Sequence, residues 1–217
     1  MLKIKSLTAL LIIFLLTACN IPKEKKGFEG KITYVNSFEC YHPKKDINYY
    51  QSIYGDTVII YLKDGNYHQV YNSKSKKGIK SLTYLSKLNQ SYLKTNLNDS
   101  VQVFLAQEDP NKIVLQKKLE TSEEKIFGLS CEKLSFESEF KGYSKSNLQN
   151  TYYFSRDTLN LEPGIFSAHT MSYLNQLSFE GNFYLKYVFT DYETHKRIQT
   201  AIKIEEIKVD SLLFKIN

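Results

Sequence analysis

The side chains able to do covalent or metal chemistry are few and scattered. Cysteine stands at 19, 40 and 131, and histidine at 42, 68, 169 and 195. A zinc site wants His and Cys grouped a few positions apart, and the chain has neither HExxH nor CxxC. It also has no Walker loop and no GxGxxG. Ser130 in "GLSC" lacks the second glycine that a G-x-S-x-G nucleophile elbow uses. A catalytic triad or carboxylate pair assembled from distant positions would leave no such local trace. On these grounds the chain is expected to be a non-enzyme, with no metal and no cofactor. That leaves the cysteines as the informative group, and Cys19 above all.

Cys19 closes the stretch "MLKIKSLTALLIIFLLTACN". Lys3 and Lys5 supply a positive start, and Leu7 to Leu16 is apolar apart from Thr8 and Ala9. A run of that length suits the core of a secretory signal and falls short of the ~20 residues that span a bilayer. Leu16-Thr17-Ala18-Cys19 resembles the lipobox of bacterial lipoproteins. The resemblance implies cleavage before Cys19, a diacylglycerol on its sulfur and a further acyl chain on its amine. Each buried CH₂ contributes about 0.8 kcal/mol, so two or three chains hold a protein on a membrane where one would not. Asn20, in place of Asp, favours the outer over the inner membrane by resemblance to Gram-negative sorting. The expected organisation is a signal peptide over 1–18, the lipidated Cys19 and a polar linker over 19–27, and one β-rich domain over 28–217.

Charge excludes one class of partner. The formal charge is +6, and loss of 1–18, which carries Lys3 and Lys5 and no acid, lowers it to +4. A nucleic-acid surface needs a stronger basic bias, and export removes the chain from nucleic acid anyway. The lysines cluster only at Lys23/Lys25/Lys26 and Lys74/Lys76/Lys77. The first cluster reads as solvated linker or as attraction to anionic lipid beside the anchor. Cys40 and Cys131 are an even pair in an oxidising compartment, either bridged or free. A bridge would close a loop of about 90 residues, for a gain on the order of 4 kcal/mol.

The elements that must carry these groups read mostly as strands. The chain has 17 Tyr and 13 Phe and no Trp, which suits half-buried sheet. "FEGKITYVNSFEC" alternates as a first strand. "HPKKDINYYQSIYG" reads as a short helix ended by Gly55. "DTVIIYLKDGNYHQVYN" is two strands joined by Asp64-Gly65, a type I′ hairpin signal. "SVQVFLAQE", "NKIVLQKKLE", the second half of "KIFGLSCEKLSFESEF" and "NTYYFSRD" follow as strands. Met171, Leu174 and Leu177 recur at helical spacing, which predicts a helix over about Phe166 to Leu177 with His169 near its start. In the last strand pair, Phe183, Leu185, Tyr187 and Phe189 share a face. Ile198, Ile202 and Ile204 share one parity while Ile207 and Val209 take the other, which predicts a β-bulge near Glu205. The sum is nine or ten strands in meander order with two short helices: an α+β fold, mainly β, built on a curled antiparallel sheet that the helices cover.

Three segments carry a family resemblance: "FEGKITY", "IFGLSCEKL" from Ile126 to Leu134, and the tail "IEEIKVDSLLFKI". They resemble small exported Bacteroidetes proteins of the DUF4412 and GLPGLI-like group, although the Gly-Leu-Pro-Gly-Leu-Ile signature is absent. That group is similar to LolA and LolB. The resemblance implies a half-open antiparallel barrel around a helical plug, with an apolar cavity for acyl chains and a closing strand in the tail. The inward faces would then be Ile60 and Leu62, Val101, Val103 and Leu105, Phe183, Leu185 and Tyr187, and Ile202 and Ile204, with Met171, Leu174 and Leu177 from the covering helix. These side chains either line a cavity for a hydrophobic ligand or fill a dry core. The first outcome makes the protein a membrane-held binding module. The second leaves an envelope protein that docks on a partner through its sheet edge or tyrosine-rich surface.

Overall fold

The structure, a computed structural model, describes residues 27–97, 100–141 and 147–216. The signal segment, Cys19 and the linker through residue 26 lie outside the described residues. Among the described residues eleven strands form one antiparallel sheet. They are β1 (Gly30–Cys40), β2 (Thr57–Lys63), β3 (Asn66–Tyr71), β4 (Ile79–Leu85), β5 (Gln90–Thr95), β6 (Val101–Leu105), β7 (Lys112–Ile126), β8 (Leu129–Phe140), β9 (Asn147–Phe154), β10 (Lys186–Asp191) and β11 (His195–Glu206). Their spatial order is β6-β5-β4-β3-β2-β1-β11-β10-β9-β8-β7. Two meanders therefore meet where the first strand pairs with the last.

This order forces the sheet to curl. Strands β6 and β7 are consecutive in the chain but lie at opposite edges. Eleven strands laid flat would separate those edges by about 48 Å. The connection from Leu105 to Lys112 can span at most about 25 Å. The edges must approach each other, and the sheet becomes an open, curled wall with a concave inner face.

Tight turns follow from residue type. Asp64 and Gly65 have φ of 48° and 73°, and Phe127 and Gly128 have 54° and 74°. Both pairs make two-residue hairpins that need positive φ at each position, which Gly supplies without strain. The "IFG" of the family-like segment is therefore a turn. Helix α1 (Ile47–Tyr54) starts where the Asp46 carboxylate accepts the Tyr49 N–H at 2.9 Å. It stops at Gly55, with φ of 72° and Asn72 backbone close enough to exclude a Cβ.

Register places the inner face. On β1, Ile32, Tyr34, Asn36 and Phe38 are buried while Val35 is exposed. Across the ladders, Ile32 faces Ile60 and Ile204, Tyr34 faces Val58 and Ala201, and Asn36 faces Gln199. Leu62 continues to Tyr67 and then Tyr84, and Gln199 continues to Tyr187 and Tyr152. The core is this concave face plus its covers. Helix α1 closes the end near Cys40, with Tyr50 stacked on His195 at 4.1 Å and Tyr54 on Phe38 at 6.2 Å. The connection between β9 and β10 crosses the rest, burying Leu159, Leu161, Phe166, Tyr173, Leu174, Leu177 and Phe183.

Three expectations are corrected here. The helix over Phe166–Leu177 is reduced to α2 (Leu174–Leu177), between single 3₁₀ turns at Met171–Tyr173 and Ser178–Glu180. Ser172 and Tyr173 take φ of 52° and 63°, which a right-handed helix cannot contain. Their place is held by tertiary bonds: the Ser172 N–H donates to Glu108 Oε2 at 3.0 Å and the Met171 N–H to Ala106 O at 3.2 Å. The bulge falls at Ile202, because Thr33 pairs with Lys203 and Tyr34 with Ala201. The tail is not a closing strand, since β11 ends at Glu206 and a 3₁₀ turn follows at Ser211–Phe214, capped by Asp210. No helix among the described residues is long and apolar enough to cross a membrane.

Candidate functional site

Of several concavities among the described residues, two concern the site. The larger, of about 580 Å³, lies at the rim where β1 begins and the β2–β3 hairpin turns. Phe28, Leu62, Leu161, Ile165 and Phe166 make its apolar surface, and Glu29, Lys63, Asp64 and Glu162 add charge. Its shape comes from packing of distant segments. The Phe28 N–H donates to Asn160 O at 2.7 Å, which draws the chain entry against the β9–β10 connection. The mouth is braced by Lys63, which donates to Val209 O at 2.8 Å and lies 3.4 Å from Glu29, while the Val209 N–H donates to Glu29 at 2.9 Å.

The smaller, of about 130 Å³, lies deeper on the concave face. Its walls are tyrosines 67, 71, 152, 184 and 187, with Leu82, Leu174 and Phe183, and its polar members are Gln69, His169, Arg197 and Gln199. A relay of hydrogen bonds holds one side: Tyr184 Oη donates to Gln199 at 3.4 Å, Gln199 Nε2 to Asn36 at 3.3 Å, and Asn36 Nδ2 to Gly55 O at 3.0 Å. Tyr187 Oη donates to Asn150 at 2.6 Å. Burial pushes the Tyr71 phenol up to about 12 and the Tyr67 phenol higher still. His169 is buried with Nε2 at 2.8 Å from Tyr67 Oη, and burial lowers its pKa to about 4. His195 is also lowered to about 4, first by burial and then by the Arg197 charge.

No family model matches the chain, and no curated protein matches it significantly. The site therefore stands on its own geometry. Among the described residues no group of three or more His, Cys, Asp or Glu is placed to hold a metal.

The expected cavity residues divide into four sets. Leu62 lines the rim pocket, and Met171, Leu174, Phe183 and Tyr187 line the deeper cavity. Leu177 borders a separate surface cleft beside Lys117 and Arg156. Ile60 and Leu185 are wholly buried in the packed core, and Ile204 packs against it. The last set is on the wrong face. Val103 and Leu105 are 54% and 52% exposed, since β6 turns Phe104 toward buried Ser91 and so sends Val101, Val103 and Leu105 outward. Ile202 is 55% exposed because it is the bulged residue.

Cys40 and Cys131, the cysteines among the described residues, are both free thiols. Through the ladders Cys40 aligns with His195, Asp191, Leu148 and then Ser138, 7 residues along β8 from Cys131. Four strand spacings, about 19 Å on a flat sheet, separate β1 from β8, and a disulfide needs Cα atoms within about 7 Å. Cys40 instead donates to Lys45 O at 2.9 Å, and buried Cys131 has its thiol pKa raised, chiefly by desolvation.

Arg197, Gln199, Gln69 and Tyr184 were not expected in a cavity. "KRIQT" reads as a polar strand segment, and inward polar residues carry no periodic signal. Parity pointed the other way: Ile198 shares its parity with Ile202 and Ile204, which sets Arg197 and Gln199 on the opposite face until the bulge is placed.

Proposed function

We propose that this chain is a bacterial envelope lipoprotein, anchored through acyl chains on Cys19, that binds a hydrophobic small molecule and catalyses no reaction on it. The observation carrying this reading is the position of the rim pocket. Its wall starts at Gly27, eight residues after Cys19, so the mouth lies within about 28 Å of the anchor. Its volume of about 580 Å³ is in the range of small-molecule sites, and its lining combines apolar Phe28, Leu62, Leu161, Ile165 and Phe166 with four charged residues. A tether of that length holds such a pocket where membrane-dissolved molecules are concentrated. The curled sheet with its covering segment supports kinship with the LolA-like half-barrels and with the DUF4412 and GLPGLI-like group. Asn20 supports the outer membrane as the address.

The test has two parts. Cys19→Ala is expected to release the protein from the membrane fraction and abolish palmitate labelling. Purified wild type is expected to bind the neutral probe N-phenyl-1-naphthylamine and to yield an apolar extractable molecule by mass spectrometry. Ile165→Glu is expected to weaken the probe at least about tenfold, while a cooperative urea transition with a midpoint lowered by about 0.5–1 M shows the fold retained. Equal probe binding by this variant refutes the assignment of the pocket. A second reading, docking on an envelope partner, is favoured by the unpaired edge β6 with exposed Val103 and Leu105. It would show as a clean extract together with crosslinks from β6 in native envelopes.

A further inference from the structure

Arg197 has an unusual environment. It lines the deeper cavity, between the ring of Tyr54, 4.7 Å from the guanidinium carbon, and that of Tyr187 at 5.8 Å. Its Nε is buried without a hydrogen-bond partner. No hydrogen bond or ion pair joins its guanidinium to any described residue, although the group carries five donors and a permanent charge. Glu108, the carboxylate whose charge reaches Tyr152 and Tyr187, is already engaged by Lys112 at 3.1 Å and by the Ser172 N–H at 3.0 Å. The residue is half-buried, and a charge drawn even partly out of water is normally paired. Cation–π contact with two phenol rings offsets only part of that cost.

We propose that this cavity is a binding site for a small organic carboxylate, which pairs with the Arg197 fork while the tyrosine rings cover its apolar part. The guanidinium matches a carboxylate with two parallel N–H bonds. The charge of the site selects a monoanion, because the neighbouring His169 and His195 stay neutral at pH 7 and Arg197 is then the single cation to be matched. The volume of about 130 Å³ suits a body near the size of benzene. Phe183 and Leu174 supply an apolar wall for that body, and Gln69 and Gln199 bring amides to the same space. The site is distinct from the rim pocket, with which it shares no lining residue.

Benzoate and hexanoate serve as probes, with benzamide, hexanol and inorganic phosphate as controls, read by thermal shift and tyrosine fluorescence on the full chain. The two carboxylates are expected to raise the melting temperature saturably, and benzamide, hexanol and phosphate to bind at least about tenfold more weakly. Arg197→Met is expected to lose benzoate binding by the same factor, and its ligand-free melting temperature to equal or exceed that of wild type, because an unpaired charge has been removed. Arg197→Lys, which keeps the charge without the fork, is expected to fall between them. The proposal is overturned if no carboxylate binds wild type, if benzamide binds as tightly as benzoate, or if Arg197→Met binds benzoate unchanged. Ile165→Glu should leave benzoate binding intact and Arg197→Met should leave N-phenyl-1-naphthylamine binding intact, so each site fails alone.

Discussion

The bulge at Ile202 assigns opposite fates to two neighbouring residues, and an aspartate placed at each reads them out. Ala201 is 4% exposed, opposite Tyr34 in the middle of the core, and its N–H donates to Leu185 O at 2.8 Å. A carboxylate there has no cation among the core residues around it, so Ala201→Asp should cost more than about 3 kcal/mol through desolvation and overpacking. Ile202 is 55% exposed. Less than half of its burial gain is at stake, about 1 kcal/mol, with a further few tenths from strand preference. For a domain of this size the urea dependence is about 2–3 kcal/mol/M, so the midpoint should fall by more than about 1 M for Ala201→Asp and by about 0.5 M for Ile202→Asp. Equilibrium urea unfolding at neutral pH measures both. If Ile202→Asp shifts the midpoint as far as Ala201→Asp, the bulge is not at 202, and every inward assignment on β11 from Ala201 back to Arg197 fails with it.

Two further outcomes follow from buried groups. His169 is held neutral, with its pKa lowered from 6.5 to about 4 by burial. The unfolded chain then binds the proton first as pH falls, so its contribution to stability is full above about pH 6.5 and is lost progressively down to about pH 4. Between pH 7 and pH 5 that loss is about 2 kcal/mol for this residue, visible as a lower urea midpoint, and His169→Gln should reduce the dependence, leaving the share of His195. A midpoint that rises on acidification would show the wrong sign. Of the two cysteines in the sheet, Cys40 should react with iodoacetamide under native conditions well before Cys131, which is 1% exposed and whose thiol burial pushes up. Equal rates, or a disulfide under non-reducing conditions, would contradict the separation of β1 from β8.

Legibility in the sequence tracks the range of the interaction that decides each feature. The Asp64-Gly65 hairpin, α1 with its Gly55 stop, and most strands follow from alternation and turn chemistry within about ten residues, and they were readable. The face of β6 was not, because a five-residue run with Val101, Val103, Leu105 and Phe104 is apolar on both parities, and pairing with β5 alone chooses between them. The β9–β10 connection had helical spacing at Met171, Leu174 and Leu177, yet Ser172 and Tyr173 adopt left-handed φ because bonds to Ala106 and Glu108 across the sheet hold them there. Arg197 and Gln199 look like a solvated strand until the bulge is placed.

By itself the sequence determined strand-rich character, the Asp64-Gly65 turn and the first helix, since each of these depends on side chains that are neighbours in the chain. Tertiary structure alone decided which face of β6 and β11 points inward, that Cys40 and Cys131 stay apart, and that an arginine without a carboxylate stands among tyrosines. The face of β6 rests on its pairing with β5, and the inward face of β11 rests on pairings between residues more than a hundred positions apart, such as Tyr34 with Ala201. A single bulged residue inverts the pattern of everything beyond it, and no local run of amino acids records where that residue falls.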